Sequence, residues 1–365
     1  MALLPELARS FLDLWHHFDG AEASRTDRFG PAPVLVPFDD KALKQHAAAF
    51  RALAHAVEEL ELESLDEEVD RTILIDAIRV RLRRVEHDRP ERRSPALWLD
   101  RLAAVLATRP DDQALLDTIP DWTAALRRTV SKPSIGNLQV ALELLADVRG
   151  AVTDGGAAEA LAGLETFLRH DVEVDPTAAA GALGEDQVTW HLHHEFKLEL
   201  TAAQAERRLI ALVESSAADI EAGRAVAAAV GNGARTAAAA DPREIRRRLA
   251  VPEWLSAMDL FSGHRSAGER HVALVVAGLD LAIQLGRIGA AEGVAKLTDR
   301  LPTRREQVRR VVIAPLESVG AVLLAAEWQA VASARQTTPP ELIAAATARG
   351  LFHPVLAAWA LGADA

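Results

Sequence analysis

Apolar residues recur at intervals of three and four along almost the whole chain, as in Ile75, Ile78, Leu82 and Val85, which fall on one face of a helix. Alternation suited to a strand is scarce. The one β-like run, Val34-Leu35-Val36, sits between Pro33 and Pro37 and reads as a surface loop. Helix starts are marked by a side-chain oxygen followed three residues later by Glu or Gln, a pairing that satisfies orphan backbone amides reciprocally. Thr201 with Gln204, Ser266 with Glu269, Thr303 with Glu306 and Thr338 with Glu341 are such pairs, and Asp241-Pro242-Arg243-Glu244 is of the same kind. The pattern predicts an all-α chain with helices over about 5–19, 39–60, 66–87, 95–107, 112–130, 134–152, 156–170, 184–198, 202–230, 242–250, 266–288, 290–299, 303–333, 339–349 and 354–361.

No repeat of fixed period is evident. Asp171 to Gly184, with Pro176 and three consecutive alanines, predicts a joint between an N-terminal lobe, 1–175, and a C-terminal lobe, 176–365, packed as one continuous unit. Val311 to Ala326 is almost continuously apolar, broken only by Pro315, Glu317 and Ser318. A membrane span needs roughly 18 to 20 apolar residues, so this run is expected to be a central helix buried on all sides, with no membrane partner.

Composition narrows the chemistry. With 365 residues and 49% hydrophobic content the chain can bury a large core, and without cysteine it can form neither a disulfide nor a thiolate metal site. A reducing cytoplasm is the expected compartment, and Met1 to Glu6 shows no basic, apolar leader pattern. The formal charge of −12, with arginines scattered among acids, argues against nucleic acid. Only five of the basic residues are lysine, which together with abundant alanine suggests a GC-rich bacterial genome. Tyrosine is absent, which removes a phenol as acid or base. No Gly-rich phosphate loop, nucleophile elbow or Rossmann fingerprint is present, so no nucleotide, flavin or other cofactor is expected.

Gly184-Glu185-Asp186-Gln187, then His193-His194 and Leu198-Glu199-Leu200-Thr201, resemble the bacterial "domain of unknown function 885" family, helical proteins related to HExxH zinc peptidases. Ser94-Pro95-Ala96-Leu97-Trp98-Leu99 is similar to that family's "Pro-x-aromatic" segment, and Val275-Val276-Ala277-Gly278-Leu279-Asp280 to its "Val-Val-Asp-x-Gly-Leu-His" helix. Glu306 to Pro315 and Gly350-Leu351-Phe352-His353-Pro354 resemble segments that follow. The resemblance implies a helical zinc-peptidase-like frame. Its catalytic motif is missing: in His194-Glu195-Phe196-Lys197-Leu198, Leu198 stands where the second histidine belongs. The family's long catalytic insert, which bears HExxH and a downstream glutamate, is lost between about Pro252 and Ser266. Asp280 replaces a terminal histidine, and the family's Tyr-Lys pair is lost around Glu317 to Gly320. No metal-peptidase activity and no metal ligands carry over.

Candidate chemistry therefore rests on individual side chains. Asp280 lies in the apolar run Val272 to Ile283, where ionisation without a partner is costly; it is expected either as a catalytic acid or base, or as the partner of an arginine on a neighbouring helix. Glu317 and Glu327, if they face one cavity, would raise each other's pKa; the alternative is that Glu317 or Ser318 serves backbone groups freed by Pro315. His264 and His271, with Arg270 and Glu269, could bind an anionic substrate and shuttle a proton. In the cluster His191, His193, His194 and Glu195, His191 shares a helix face with His194 at three and with Glu195 at four. Such a pair could hold zinc with a third ligand from His264 or His271, or it could be a helix end. The expectation is a metal-independent enzyme acting on a small-molecule substrate, with Asp280, Glu317, Glu327, His264 and His194 as catalytic groups and Glu269, Arg270 and His271 as substrate contacts. Lyase, cyclase, dehydratase and hydrolase chemistry all fit. A catalytically inactive frame that binds a partner protein is the alternative, and a rebuilt zinc site a third. Oligomeric state is not legible.

Overall fold

The computed structural model describes residues 4–26, 34–62, 64–153, 155–177, 179–221, 252–261, 266–301, 305–349, 351 and 353–362. Over these the chain is all-α, with a lone backbone bridge between Ser134 and Asp175 in place of any sheet. The N-terminal elements are α1 (Leu4–Thr26), α2 (Asp40–Glu58), α3 (Leu65–Arg83), α4 (Pro95–Thr108), α5 (Gln113–Leu116), α6 (Ile119–Thr129), α7 (Ile135–Ala151) and α8 (Gly155–Thr166). They are followed by α9 (Glu185–His194), α10 (Ala202–Glu221), α11 (Pro252–Phe261), α12 (Ala267–Gln284), α13 (Ala290–Arg300), α14 (Arg305–Ile313), α15 (Glu317–Ala334), α16 (Pro339–Ala348) and α17 (Pro354–Gly362).

Local chemistry sets most of the starts. Asp39, Ser64, Ser94, Asp112 and Ser134 each accept from a backbone N–H of the turn that follows. Ser266 and Glu269 form the full reciprocal box at α12; Gln204 accepts from the Thr201 N–H, and Glu341 from the Thr338 N–H. Thr303 and the Asp241 motif lie outside the described residues, as does 242–250.

Two expected helices divide, and one helix forms where none was expected. The run 112–130 divides into α5 and α6, because Pro120 suits the first turn of a helix and not its interior. The run 303–333 divides at Ala314-Pro315-Leu316: proline has no N–H to donate and disfavours helical backbone in the residue before it, and Leu316 adopts a left-handed conformation (φ 67°) before α15 begins. Helix α11 lies where the insert was expected to be lost and no helix was expected. Its aromatic and apolar residues Trp254, Ala257, Met258 and Phe261 are buried beside α15.

One continuous core runs from Leu7 to Ala357, so side chains of both expected lobes share it. Trp15, Trp98 and Trp328 are its largest fully buried residues. Phe18, Phe38, Trp98 and Trp122 form a chain of edge-on rings with centroids 5.1–5.7 Å apart. A smaller cluster around Val276, Ile283, Leu297 and Val311 joins α12, α13 and α14. Helix α15 is buried along most of its length, including Val319, Gly320, Leu323, Leu324 and Trp328. No helix among the described residues is long and apolar enough to cross a membrane.

Candidate functional site

Two interruptions of helix geometry bring charged residues together inside this core. In α1, Asp19 leaves helical backbone (φ −142°, ψ 67°), and its carboxylate accepts from the Glu22 N–H at 3.2 Å, which caps the helix where it resumes. Beyond α3, residues Arg84 to Asp88 form a π-helical turn closed by Arg89 in a left-handed conformation (φ 44°). Widening the turn shifts the register, so that Arg81, Arg84 and Asp88 all reach one cavity.

Glu22 receives both Arg84 and Arg81, the latter at 3.4 Å. Arg101, from α4, grips both oxygens of Asp19. Arg84 continues to Glu195 at 3.2 Å, and Glu195 in turn meets Nδ1 of His191 at 2.7 Å. The other ring nitrogen of His191 faces Asp88 at 3.5 Å, and Asp88 accepts from Arg83 at 3.1 Å. The i,i+4 relation between His191 and Glu195 places both at the end of α9 on its buried side. Across the cavity Arg310 of α14 bridges the break before α15 to reach Glu317, with Asp100 3.9 Å away.

These partners decide the charges. Burial by itself would neutralise Glu22, but Arg81, Arg84 and Arg101 hold it far below the ordinary carboxylate range. Burial opposes ionisation of Glu195 too, and Arg84, His191 and Arg81 outweigh it, lowering its pKa to about 2. His191 is pushed the other way: desolvation favours the neutral ring, but hydrogen bonds and charge from Asp88 and Glu195 raise its pKa to about 9. At neutral pH it is an imidazolium clamped between two carboxylates.

The cavity that these groups line measures about 1060 Å³, counting the space open to solvent at its mouth. Phe18, Phe38, Leu97, Leu183 and Ile313 supply its apolar wall. A second cavity of about 830 Å³, between α11, α12 and α15, shares only Arg310 and Glu317 with the first. That ion pair is the partition between them.

Behind Glu195 the backbone is held on both sides. Trp254 Nε1 donates to the Glu195 carbonyl at 3.3 Å, and His353 Nε2 meets the Phe196 carbonyl at 2.7 Å. Lys197 follows in a left-handed conformation (φ 52°), with its ammonium 2.5 Å from Asp76. Gly320 lies so close beneath Phe196 that a Cβ there would stand 2.7 Å from the ring.

The sequence-expected residues are distributed unevenly around this site. Glu317 lines both cavities and Glu269 lines the second, while its carboxylate accepts from the Ser266 N–H at 2.9 Å in the cap of α12. Glu327 does not join Glu317: ten residues along a helix rotate it by about 80°, and it pairs with Arg208 instead. His194 is exposed and lies against the Trp190 ring at 4.8 Å, outside the cavity wall. Arg270 and His271 are half-buried on α12 and line neither cavity. His264 lies outside the described residues. Asp280 has 0% exposure and is held by the Leu316 N–H at 3.2 Å, with Gln284 at 3.5 Å, rather than by an arginine. It serves the amides freed at the Pro315 break, and burial raises its pKa to about 8, with Glu317 adding to the rise.

Missed by the pattern were Asp19, Glu22, Arg81, Arg84, Asp88 and Arg101. Each reads as one more charge on a helix, and only Asp19-Gly20 carried a local signal, a turn dipeptide inside an otherwise helical run.

No family model matches the chain, and no curated protein is similar to it. Among solved structures, one of a candidate lipoprotein of unknown function from Shewanella oneidensis is similar over 99% of this chain and 100% of that one, with a TM-score of 0.59 and 11% identity. At that identity the likeness concerns the fold alone.

Proposed function

We propose that this chain is an enzyme of small-molecule metabolism in which the cavity binds a small organic substrate and His191, with Glu195 and Asp88, moves a proton. The observation that carries the reading is the imidazolium held between two carboxylates in the wall of an internal cavity. Glu195 fixes the ring through Nδ1, and the Nε2 side, facing Asp88 at 3.5 Å, is the looser contact from which a proton can be redirected to a bound molecule. The apolar wall suits a carbon skeleton. Buried N–H groups of Arg81, Arg101 and Arg310 that have no acceptor among the described residues favour a substrate rich in acceptors, such as a carboxylate.

Backbone strain supports the same place. Of the five non-glycine residues with left-handed backbone among those described, Arg89, Lys197 and Leu316 border this region, and such strain concentrates where geometry is over-determined for function. The reaction would be acid–base chemistry run by the chain's own side chains, as in a lyase, cyclase, dehydratase or hydrolase. The cysteine-free, lysine-poor composition fits a reducing bacterial cytoplasm.

The test is a thermal-shift panel of small mono- and dicarboxylates, their amides and their alcohols, measured on the whole chain. Carboxylates are expected to raise the melting temperature in the wild type and to lose that effect in Arg310→Gln/Glu317→Gln, which removes one charge of each sign from the wall. A panel in which no carboxylate binds, or in which the double variant binds equally well, would sink the reading.

A further inference from the structure

We infer that His353 and Trp254 are positioning residues, which aim Glu195 at His191 by holding the two consecutive carbonyls of Glu195 and Phe196. The inference deepens the proposed acid–base site and rests on it. Nothing about His353 in sequence marks this role, since it lies 157 residues from the carbonyl that it meets.

Glu195 caps the C-terminal end of α9, where its own N–H makes the last helical hydrogen bond and no later turn takes up the carbonyls that follow. The Glu195 and Phe196 N–H groups both return to the His191 carbonyl, at 3.0 and 3.1 Å, and the Leu198 N–H returns to Leu192 at 2.8 Å. The carbonyls of 195 and 196 point the other way, and without partners they would be buried acceptors left unsatisfied. Trp254 satisfies the first and His353 the second. The His353 tautomer follows from its other contact: Nδ1 accepts from the Val355 N–H at 3.2 Å, so Nε2 carries the hydrogen and donates. Both rings are buried, and they meet edge to face at 4.9 Å.

The elbow that they hold is tight in every direction. Phe196 rests on Gly320 of α15, Lys197 is held in left-handed backbone and tied to Asp76, and Leu198 is buried. The Glu195 side chain therefore emerges from a backbone fixed by α11, α15 and the segment before α17. A shift of the elbow by about 1 Å would move its carboxylate off both His191 and Arg84.

The titration of His191 reports on this geometry without any substrate. The charged groups around the ring are Asp88 and Glu195 in contact, with Arg83 behind Asp88 and Arg84 and Arg81 behind Glu195. A merely structural histidine at 353 would change the melting temperature and leave the native ring's titration alone. A positioning one would change the titration.

The experiment is a pH titration of the histidine ring resonances by NMR on the full chain, with His191 assigned by its loss in His191→Asn. In the wild type His191 is expected to titrate near 9. His353→Phe removes the donor and keeps a ring, and is expected to lower that value by ~1 unit or more, whereas His353→Gln, whose amide can donate from a similar position, is expected to restore most of it. Trp254→Phe removes a single N–H and is expected to give a smaller drop. It carries the test if His353→Phe does not fold. An unchanged His191 titration in a folded His353→Phe, or in Trp254→Phe where that variant carries the test, overturns the inference. A carboxylate panel that shifts nothing would sink the functional reading while leaving this titration result standing.

Discussion

Glu195 and Asp280 are both buried carboxylates, at 4% and 0% exposure, yet neutral pH leaves one charged and the other protonated. Glu195 has Arg84, Arg81 and His191 around it, and its pKa falls to about 2. Asp280 has a backbone N–H, an amide and the nearby charge of Glu317, and burial lifts its pKa to about 8. Desolvation acts on both in the same direction, so the difference lies in the partners. A carboxylate surrounded by guanidiniums is fixed as an anion and can orient a proton donor. A carboxylic acid at a helix break is a neutral cap, and its stake is in folding.

The sharpest way to break that comparison is to neutralise the two acids in turn. Glu195→Gln leaves Arg84 and His191 without their shared anion and is expected to destabilise the fold by about 3–5 kcal/mol, read by urea denaturation at pH 7. Asp280→Asn is expected to do the opposite at pH 8. It keeps an acceptor for the Leu316 N–H, offers a donor where the Gln284 oxygen has none among the described residues, and removes an ionisation that the folded state resists. The gain is of order 3 kcal/mol at pH 8 and shrinks to less than about 1 kcal/mol near pH 4, where the folded acid is neutral and the unfolded one is about half protonated.

The two sites also differ in their pH windows. Asp280 has a folded pKa raised from 3.8 to about 8, so the folded state holds the extra proton and stability falls as pH rises across that interval. His191 is raised from 6.5 to about 9, so its contribution is whole below 6.5 and is lost as pH rises through 9. Chemical denaturation from pH 4 to 10 is expected to show a decline that Asp280→Asn removes below pH 8, leaving the His191 portion above 6.5. A wild type whose stability is flat from pH 4 to 8 would contradict the Asp280 assignment.

Smaller effects sharpen the same contrast. Gly320→Ala drives a methyl into the Phe196 ring behind Glu195 and is expected to cost about 1–3 kcal/mol by thermal melting. Glu317→Gln removes the nearby negative charge from Asp280 and is expected to lower its pKa by a few tenths of a unit, measured by carboxyl NMR. A rise instead would contradict the assignment, because losing the Glu317 anion and freeing the Arg310 guanidinium both favour the ionised acid.

The pairing of His191 with Glu195 was legible in the chain itself, because the relation between positions four apart depends only on helix geometry. The rest of its network was not. Glu22, Arg81, Arg84 and Arg101 come from three helical segments spread over about eighty residues, and each is an ordinary surface-type residue in its own segment. Their register depends on the Asp19 kink and on the wide turn at Arg84 to Asp88, neither of which hydrophobic spacing encodes. The break at Pro315 shows the converse case. Proline announced that the helix could not pass unaltered, but its depth in the core, and the choice of Asp280 as the group that answers it, followed from packing against α12.

By itself the amino-acid sequence determined that this chain is helical, where most helices start, and that His191 and Glu195 share a face. Those are matters of period, cap and spacing within one turn or a few. The tertiary structure alone decided which of the buried acids keeps its charge, because that depends on guanidiniums delivered from distant segments into a medium that screens them poorly.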